Sequence, residues 1–394
     1  MSPRIEFPWH RPYADIREAV GALCARFPLN YWDEHERDGE FPEEFFGAFA
    51  AGGWMGATVP EEYGGSGLPL AAMAAVLEEV AAAGGALDAC SALHVPMLVL
   101  PVLLRSGTEE QRRRFIPPII AGELYTTFGV TEPNAGTDTT RIETTAERRG
   151  DHYVVRGQKV WNTGALRGDR VILIARTSPR TEERPARGMS LFMVDLKAPG
   201  VTIEKIPKIS RNAVASCEVF LDDVEVAVED RIGEEGDGFY DLLAGLNGER
   251  LLVAAECVGL GRWATLRSAE YASDRRVFGR AIGANQSVAH PIADSYLQLL
   301  AASHVVWAGL AAYDGGAPAE EVGTYANAAK YLSSEAGFAA TDRAMQVHGG
   351  FGFAREYHVG RYWIESRLPR VAPVSNQMVL NYFSERVLGL PRSY

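Results

Sequence analysis

The chain has 394 residues, a length that predicts two or three sub-domains rather than one core. Hydrophobic residues make up 47% and charged residues 23%, which excludes a disordered chain, and no uninterrupted run of about 18 apolar residues reads as a membrane span. A formal charge of -12 excludes a broad phosphate-neutralising surface, so nucleic acid is not an expected partner. Cys24, Cys90, Cys217 and Cys257 are scattered without metal-type spacing and predict neither disulfides nor a metal site. The opening stretch MSPRIEFPWH lacks the apolar core of a signal peptide, and the expected location is the cytoplasm.

The first third reads as helix. Residues 41–46 open one helix with proline and acids in the first turn, where the dipole favours negative charge, and Gly52-Gly53 closes it. Residues 60–67 form a glycine-rich turn whose GGSG lacks the Lys-Ser/Thr of a phosphate loop. Strong helix formers fill residues 70–83, and residues 96–104 predict a second apolar helix. Thr108-Glu109-Glu110-Gln111 has the pattern of a capping box.

Around Glu123 the pattern changes. Residues 152–155, 171–175, 190–194, 201–206 and 218–221 are short, rich in Val, Ile and Phe, and separated by turn residues. Their connections are too short for crossover helices, which predicts a small antiparallel β-domain, with residues 179–185 as an exposed hairpin loop. Helix returns at Gly236 and persists almost to the end. The expected fold is α+β and mostly α: a helical N-terminal domain over 1–123, a middle β-domain over 124–234 and a helical C-terminal domain over 235–394.

Two stretches of the β-region, FGVTEPNAGTD from Phe128 and QKVWNT from Gln158, place small and hydroxyl-bearing residues where a flat polar ligand can be held. In the helix that follows, Leu242, Leu246, Val253 and Leu260 form an apolar stripe with Glu249 on the same face. Desolvation there would raise the carboxyl towards neutrality, as a general base needs; alternatively Glu249 pairs with an arginine and supports structure, and Arg250 fits either reading. Arg275, Arg276 and Arg280 around Phe278-Gly279 are either a pyrophosphate site or solvated charge. The turn His348-Gly349-Gly350-Phe351-Gly352 either admits a ligand or ends a helix. No GxGxxG follows a strand and no GxSxG occurs, so a Rossmann site and a serine hydrolase are poor fits.

In combination these motifs resemble the acyl-CoA dehydrogenase family over nearly the whole chain. GVTEPNAGTD resembles its first signature, Trp161 and Thr163 its next flavin contacts, and Arg275, Phe278, Gly279 and Gln286 its arginine, Phe-Gly and glutamine element. Gln346 with the glycine turn resembles the segment that reaches the flavin of a neighbouring subunit. The resemblance implies a C-terminal four-helix bundle, FAD as cofactor, an acyl-CoA substrate, electron-transfer flavoprotein as acceptor, no metal, no membrane, and a homotetramer or homodimer. It assigns the cofactor to Phe128, Val130, Thr131, Gly136, Thr137, Trp161, Thr163, Arg275, Phe278, Gln286, Gln346, Gly349, Gly350, Ser375 and Gln377. Thr131 and Thr163 would bond the isoalloxazine edge, and Arg250 and Thr137 would lie towards the substrate.

One departure stands out. Most members carry the catalytic glutamate near the C-terminus, where this chain has Pro373. A branch resembling the isovaleryl-CoA and long-chain enzymes places it on the bundle helix before an arginine, which Glu249-Arg250 matches, so Glu249 is the expected base. Proline also lacks the backbone N–H that the family offers to the thioester carbonyl. Either another N–H serves, or the carbonyl is held differently, or the protein has become an oxidase, a monooxygenase, a carrier-protein enzyme or a non-catalytic flavin binder.

Overall fold

The structure, a computed structural model, describes residues 5–392, and for Ala244 the backbone only. The first four residues of the N-terminal stretch lie outside it. In chain order, six helices come first: α1 Ala14–Cys24, α2 Leu29–Asp38, α3 Glu43–Ala51, α4 Leu70–Val80, α5 Ala86–Ser106 and α6 Glu109–Ile120. Strands follow: β1 Thr126–Gly129, β2 Thr145–Arg149, β3 His152–Thr163, β4 Arg170–Arg176, β5 Met189–Asp195, β6 Val201–Lys205, β7 Ser216–Ala227 and β8 Arg231–Ile232. Then come α7 Gly238–Asp274, the hairpin β9 Arg276–Val277 and β10 Arg280–Ala281, α8 Gln286–Asp314, α9 Ala319–His348, α10 Val359–Ser366 and α11 Asn376–Tyr382.

Local signals hold where they are strong. Thr108 Oγ1 accepts from the Gln111 amide and Gln111 Oε1 accepts from the Thr108 amide, the reciprocal pair of a capping box. The apolar helix expected over 96–104 instead begins at Ala86 and carries Pro96 and Pro101 inside it, because proline removes a donor without forbidding a helix that tertiary packing supports. By length and composition the helical stretches Leu70–Ser106 and Gln286–Asp314 would also span a bilayer, which a search for uninterrupted apolar runs misses. The first is core, its most apolar window being 72% buried within the fold.

The chain divides into two compact units. One comprises His35–Leu68 and Ser91–Leu246 and holds the sheet, ordered β6-β7-β3-β2-β4-β5-β8 with β1 pairing to β4. Most pairings are antiparallel as expected; β1 runs parallel to β4, from Thr126 against Arg170 to Gly129 against Leu173. The β2–β3 hairpin between them in sequence makes that return without a crossover helix. The core is an alternating set from several strands, including Tyr153, Val155, Val171, Leu173, Phe192, Val194 and Val219.

The other unit comprises residues up to Glu34, Pro69–Cys90 and Asn247 onwards, with α8 and α9 packed side by side. Trp263 stacks on Tyr362 with ring centroids 3.6 Å apart, and the Tyr362 hydroxyl accepts from the Gly84 amide and donates to the Ala81 carbonyl. Close backbone approach explains two glycines: a Cβ at Gly259 would lie 2.3 Å from the Glu78 carbonyl oxygen, and one at Gly337 2.7 Å from that of Cys257. The four cysteines are buried and form no disulfide among the described residues.

Candidate active site

In the sheet-bearing unit the predicted flavin contacts converge on one edge. β3 breaks register with β7 between Lys159 and Asn162, and at that bulge Trp161 takes φ +63° and turns its ring outward, 57% exposed. The residues around it clamp the segment after β1. Asn162 Nδ2 donates to the Phe128 carbonyl at 2.9 Å, Lys159 Nζ to the Val130 carbonyl at 3.2 Å, and the Val160 amide to the Thr131 carbonyl at 2.9 Å. Phe128, Val130, Thr131, Trp161 and Thr163 are thereby fixed as a group. Gly136 and Thr137 lie beyond it in an exposed loop.

Behind this edge is a charged pair that sequence reasoning missed. Lys159 is fully buried, and its ammonium lies 2.8 Å from Glu132 Oε1. The Glu132 carboxylate also accepts from the Glu143 and Thr144 amides. Burial disfavours the charged form of Glu132, but Lys159 and the backbone donors outweigh it and hold the carboxyl below its ordinary range. Burial brings Lys159 down to about 8, against the pull of Glu132. Both residues stand inside the quoted motifs; only their buried pairing gives them a role.

In the other unit, Arg275, Gly349 and Gly350 line one cleft of about 640 Å³, together with Tyr271, Val277, Ile282, Val347, His348, Phe351 and Ala354. Tyr271 stacks on His348 at 4.3 Å, and the Arg275 guanidinium lies over Phe351 at 5.8 Å. Added Cβ atoms at Gly349 and Gly350 would meet nothing within 4 Å, so these glycines leave room rather than relieve a clash. Phe278 and Gly279 both have positive φ, as a two-residue hairpin turn between β9 and β10 requires, and Phe278 is wholly exposed. Gln286 and Gln346 are exposed, at the start of α8 and in the last turn of α9, and are not among the cleft-lining residues.

Glu249 and Arg250 lie near the start of the long α7. The expected buried face is a boundary here: Glu249 is half-buried, as are Leu246 and Val253, and continuous burial begins with Leu251, Leu252, Ala254 and Ala255. Arg250 Nη1 donates to Asn247 Oδ1 at 2.9 Å, and its buried Nε has no partner among the described residues. Burial depresses the Arg250 pKa, while the charges of Glu249 and Tyr382 oppose the shift. Ser375 caps α11, its Oγ accepting from the Met378 amide, and Gln377 is exposed. Among the described residues no cluster of three or more His, Cys, Asp or Glu is placed to hold a metal.

Each unit thus presents its own feature: an outward-turned indole beside a clamped hydroxyl-bearing loop in one, and a cation over an open glycine turn in the other. The family models agree over three segments: "Acyl-CoA dehydrogenase, N-terminal domain" over residues 13–123, "middle domain" over 127–224 and "C-terminal domain" over 236–388. Acyl-CoA dehydrogenase FadE12 of Mycobacterium tuberculosis is 36% identical over 388 residues, covering 96% of each chain. The caffeyl-CoA reductase-Etf complex subunit CarC of Acetobacterium woodii is 34% identical, over 85% of this chain and 87% of its own. Among solved structures, butyryl-CoA dehydrogenase of Megasphaera elsdenii superposes with TM-score 0.88 at 28% identity, covering 95% of this chain and 98% of that one. An FAD complex of PigA superposes with TM-score 0.90 at 25% identity, covering 98% and 100%. The chain belongs to the acyl-CoA dehydrogenase family and is an FAD-dependent oxidoreductase of acyl-CoA thioesters.

Proposed function

We propose that Glu249 is the base of this enzyme, taking the α-proton of the acyl thioester while a hydride leaves the β-carbon. The observation that carries this reading is the Glu249-Arg250 pair, set where α7 passes from half-buried to buried. There a carboxylate keeps access to substrate while Arg250 holds positive charge beside it. As the proton moves to Glu249 and the β C–H electrons depart, the Cα–Cβ single bond becomes double. Bound FAD supplies the acceptor for that hydride.

The residues assigned to the cofactor divide by role. Thr131 and Thr163 bond the edge of the ring system, with Phe128, Val130 and Trp161 as its walls and Gly136 and Thr137 at the loop beyond. Arg275, Phe278, Gln286, Gln346, Gly349 and Gly350 take the pyrophosphate and adenine end, and Ser375 and Gln377 complete the set. Arg250, with Thr137, faces the substrate. The vacant space over Gly349 and Gly350 and the full exposure of Phe278 support this division.

Electron-transfer flavoprotein is the proposed acceptor, supported by a relative named as a subunit of a reductase-Etf complex. A homotetramer is the proposed assembly. Only 39% of the apolar window of Gln286–Asp314 is buried, and Leu297 and Leu332 are exposed, which leaves apolar helix surface for a second copy. We further propose a cytoplasmic role in fatty acid metabolism, domain boundaries at 1–123, 124–234 and 235–394, and kinship with the branch that carries its base on the bundle helix.

The test is anaerobic bleaching of the purified yellow protein across short, branched, long and ring-bearing acyl-CoAs. Glu249→Gln should remain yellow and lose bleaching; normal bleaching in that variant would remove Glu249 from the role. Rapid reoxidation of the reduced protein by oxygen with peroxide release would point instead to an oxidase.

A further inference from the structure

Lys330 lies in the middle of α9 and is fully buried. Its ammonium donates to the Val374 carbonyl and, at 2.7 Å, to Asn376 Oδ1. Among the described residues it forms no ion pair within 4 Å. A buried ammonium held by neutral acceptors is a costly arrangement that an apolar side chain of similar volume would avoid, so stability alone is a poor reason for it.

What Lys330 holds is the turn after Pro373. Asn376 Nδ2 donates to Ser334 Oγ at 3.1 Å and to Glu335 Oε1 at 2.7 Å, and Ser375 Oγ caps α11, so the turn is fixed on its C-terminal side as well. The group that holds this turn is also in electrostatic reach of the proposed base's neighbour. Lys330 and Tyr382 are both within electrostatic reach of Arg250, the neighbour of Glu249, and Tyr382 bonds Thr324 on α9. Removing a proton next to a thioester carbonyl builds negative charge on that oxygen, and a donor aimed at it is worth most in a water-poor site. Pro373 has no N–H. The next amide, that of Val374, has no hydrogen-bond partner among the described residues, while the carbonyl of the same residue is gripped by Lys330.

We propose that Lys330 is a positioning residue that fixes Val374 so that its amide N–H serves as the backbone donor to the thioester carbonyl, in place of the donor that proline removes. This rests on the acyl thioester reading above. Lys330 touches neither substrate nor cofactor and acts through the turn.

The experiment uses the FAD-loaded enzyme with an enoyl-CoA product carrying ¹³C at the thioester carbonyl, read by difference infrared spectroscopy alongside kcat and KM. In the wild type the carbonyl stretch should fall on binding. In Val374→Pro, which deletes the amide, and in Lys330→Met, the fall should shrink; kcat should drop by about 10² in the first and by less in the second, with little change in KM. Lys330→Arg should recover part of both. Glu249→Gln should keep the full shift while losing turnover. Flavin content and thermal unfolding identify any variant that has not folded, and Lys330→Arg then carries the test. An unchanged shift in Lys330→Met, or in folded Val374→Pro, overturns the proposal. Absence of any shift in the wild type overturns the thioester reading itself, which separates the two failures.

Discussion

Lys159 and Glu132, 27 residues apart in sequence, form a buried ion pair 2.8 Å long whose lysine also bonds the carbonyl of Val130. The pair thus ties the bulged end of β3 to the backbone of the predicted flavin-edge loop. Glu132 in turn gathers the amides of Glu143 and Thr144, so one carboxylate closes the loop from both sides. Removing one partner of such a pair leaves an uncompensated buried charge.

Lys159→Met should therefore destabilise the protein by about 3–5 kcal/mol and lower its retained FAD. Denaturant unfolding of the loaded protein and the flavin-to-protein absorbance ratio check this. The double variant Lys159→Met with Glu132→Gln should recover part of the stability, because no charge is left stranded, but not the flavin content. A single variant that unfolds like wild type would show that the pair does not hold the loop.

Acid should weaken the unit that contains Glu78. This carboxyl is fully buried; burial disfavours its charge, but Arg17 and Arg262 overcome that and, with His10, hold it far below the ordinary range. A depressed carboxyl contributes stability above its unfolded pKa and loses it only as pH falls towards the folded value. His10 acts in the same direction and earlier. Burial lowers its pKa despite Glu78, so below about 6.5 the unfolded chain takes up a proton before the folded one does. Stability should fall as pH drops from about 6.5, and His10→Gln should flatten the upper part of that fall. Thermal unfolding between pH 7 and 5 gives the comparison.

How much of this was legible follows from sequence separation. The capping box at Thr108 and Gln111 is local, set by residues within three positions of one another, and the sequence pattern is enough. The loop after β1 was legible as a hydroxyl-bearing segment of the β-region in the same way. The two buried lysines were not. Lys159 and Lys330 are residues of a type almost always exposed, and their partners at Glu132 and Val374 are 27 and 44 positions away, so no local rule marks them as buried. The half-exposure of Glu249 was hidden likewise, because helical periodicity gives a face but not the depth at which neighbours cover it.

Glu249→Gln should lower kcat by about 10²- to 10⁴-fold, the range for loss of a general base, while the flavin spectrum and cofactor content stay as in wild type. The substitution keeps size and hydrogen-bonding capacity and removes only the basic oxygen. Stopped-flow reduction under anaerobic conditions isolates the chemical step from reoxidation. Reduction at the wild-type rate would require a base elsewhere in the pocket.

Gly350→Val separates cofactor binding from folding. Gly350 is exposed, its φ is not positive, and a Cβ there meets nothing within 4 Å, so the substituted chain should fold with unchanged thermal stability once both proteins are stripped of flavin. The valine would stand in the cleft lined by Arg275 and His348, in the space proposed for the cofactor. FAD affinity, read by flavin fluorescence on titration of the stripped protein, should fall at least tenfold. The guanidinium over Phe351 makes a second, charge-based arm: Arg275→Met should weaken FAD in low salt more than in high salt, because screening already reduces an exposed arginine's pull on a pyrophosphate. Wild-type FAD affinity in both variants would remove this cleft from the proposed cofactor contacts.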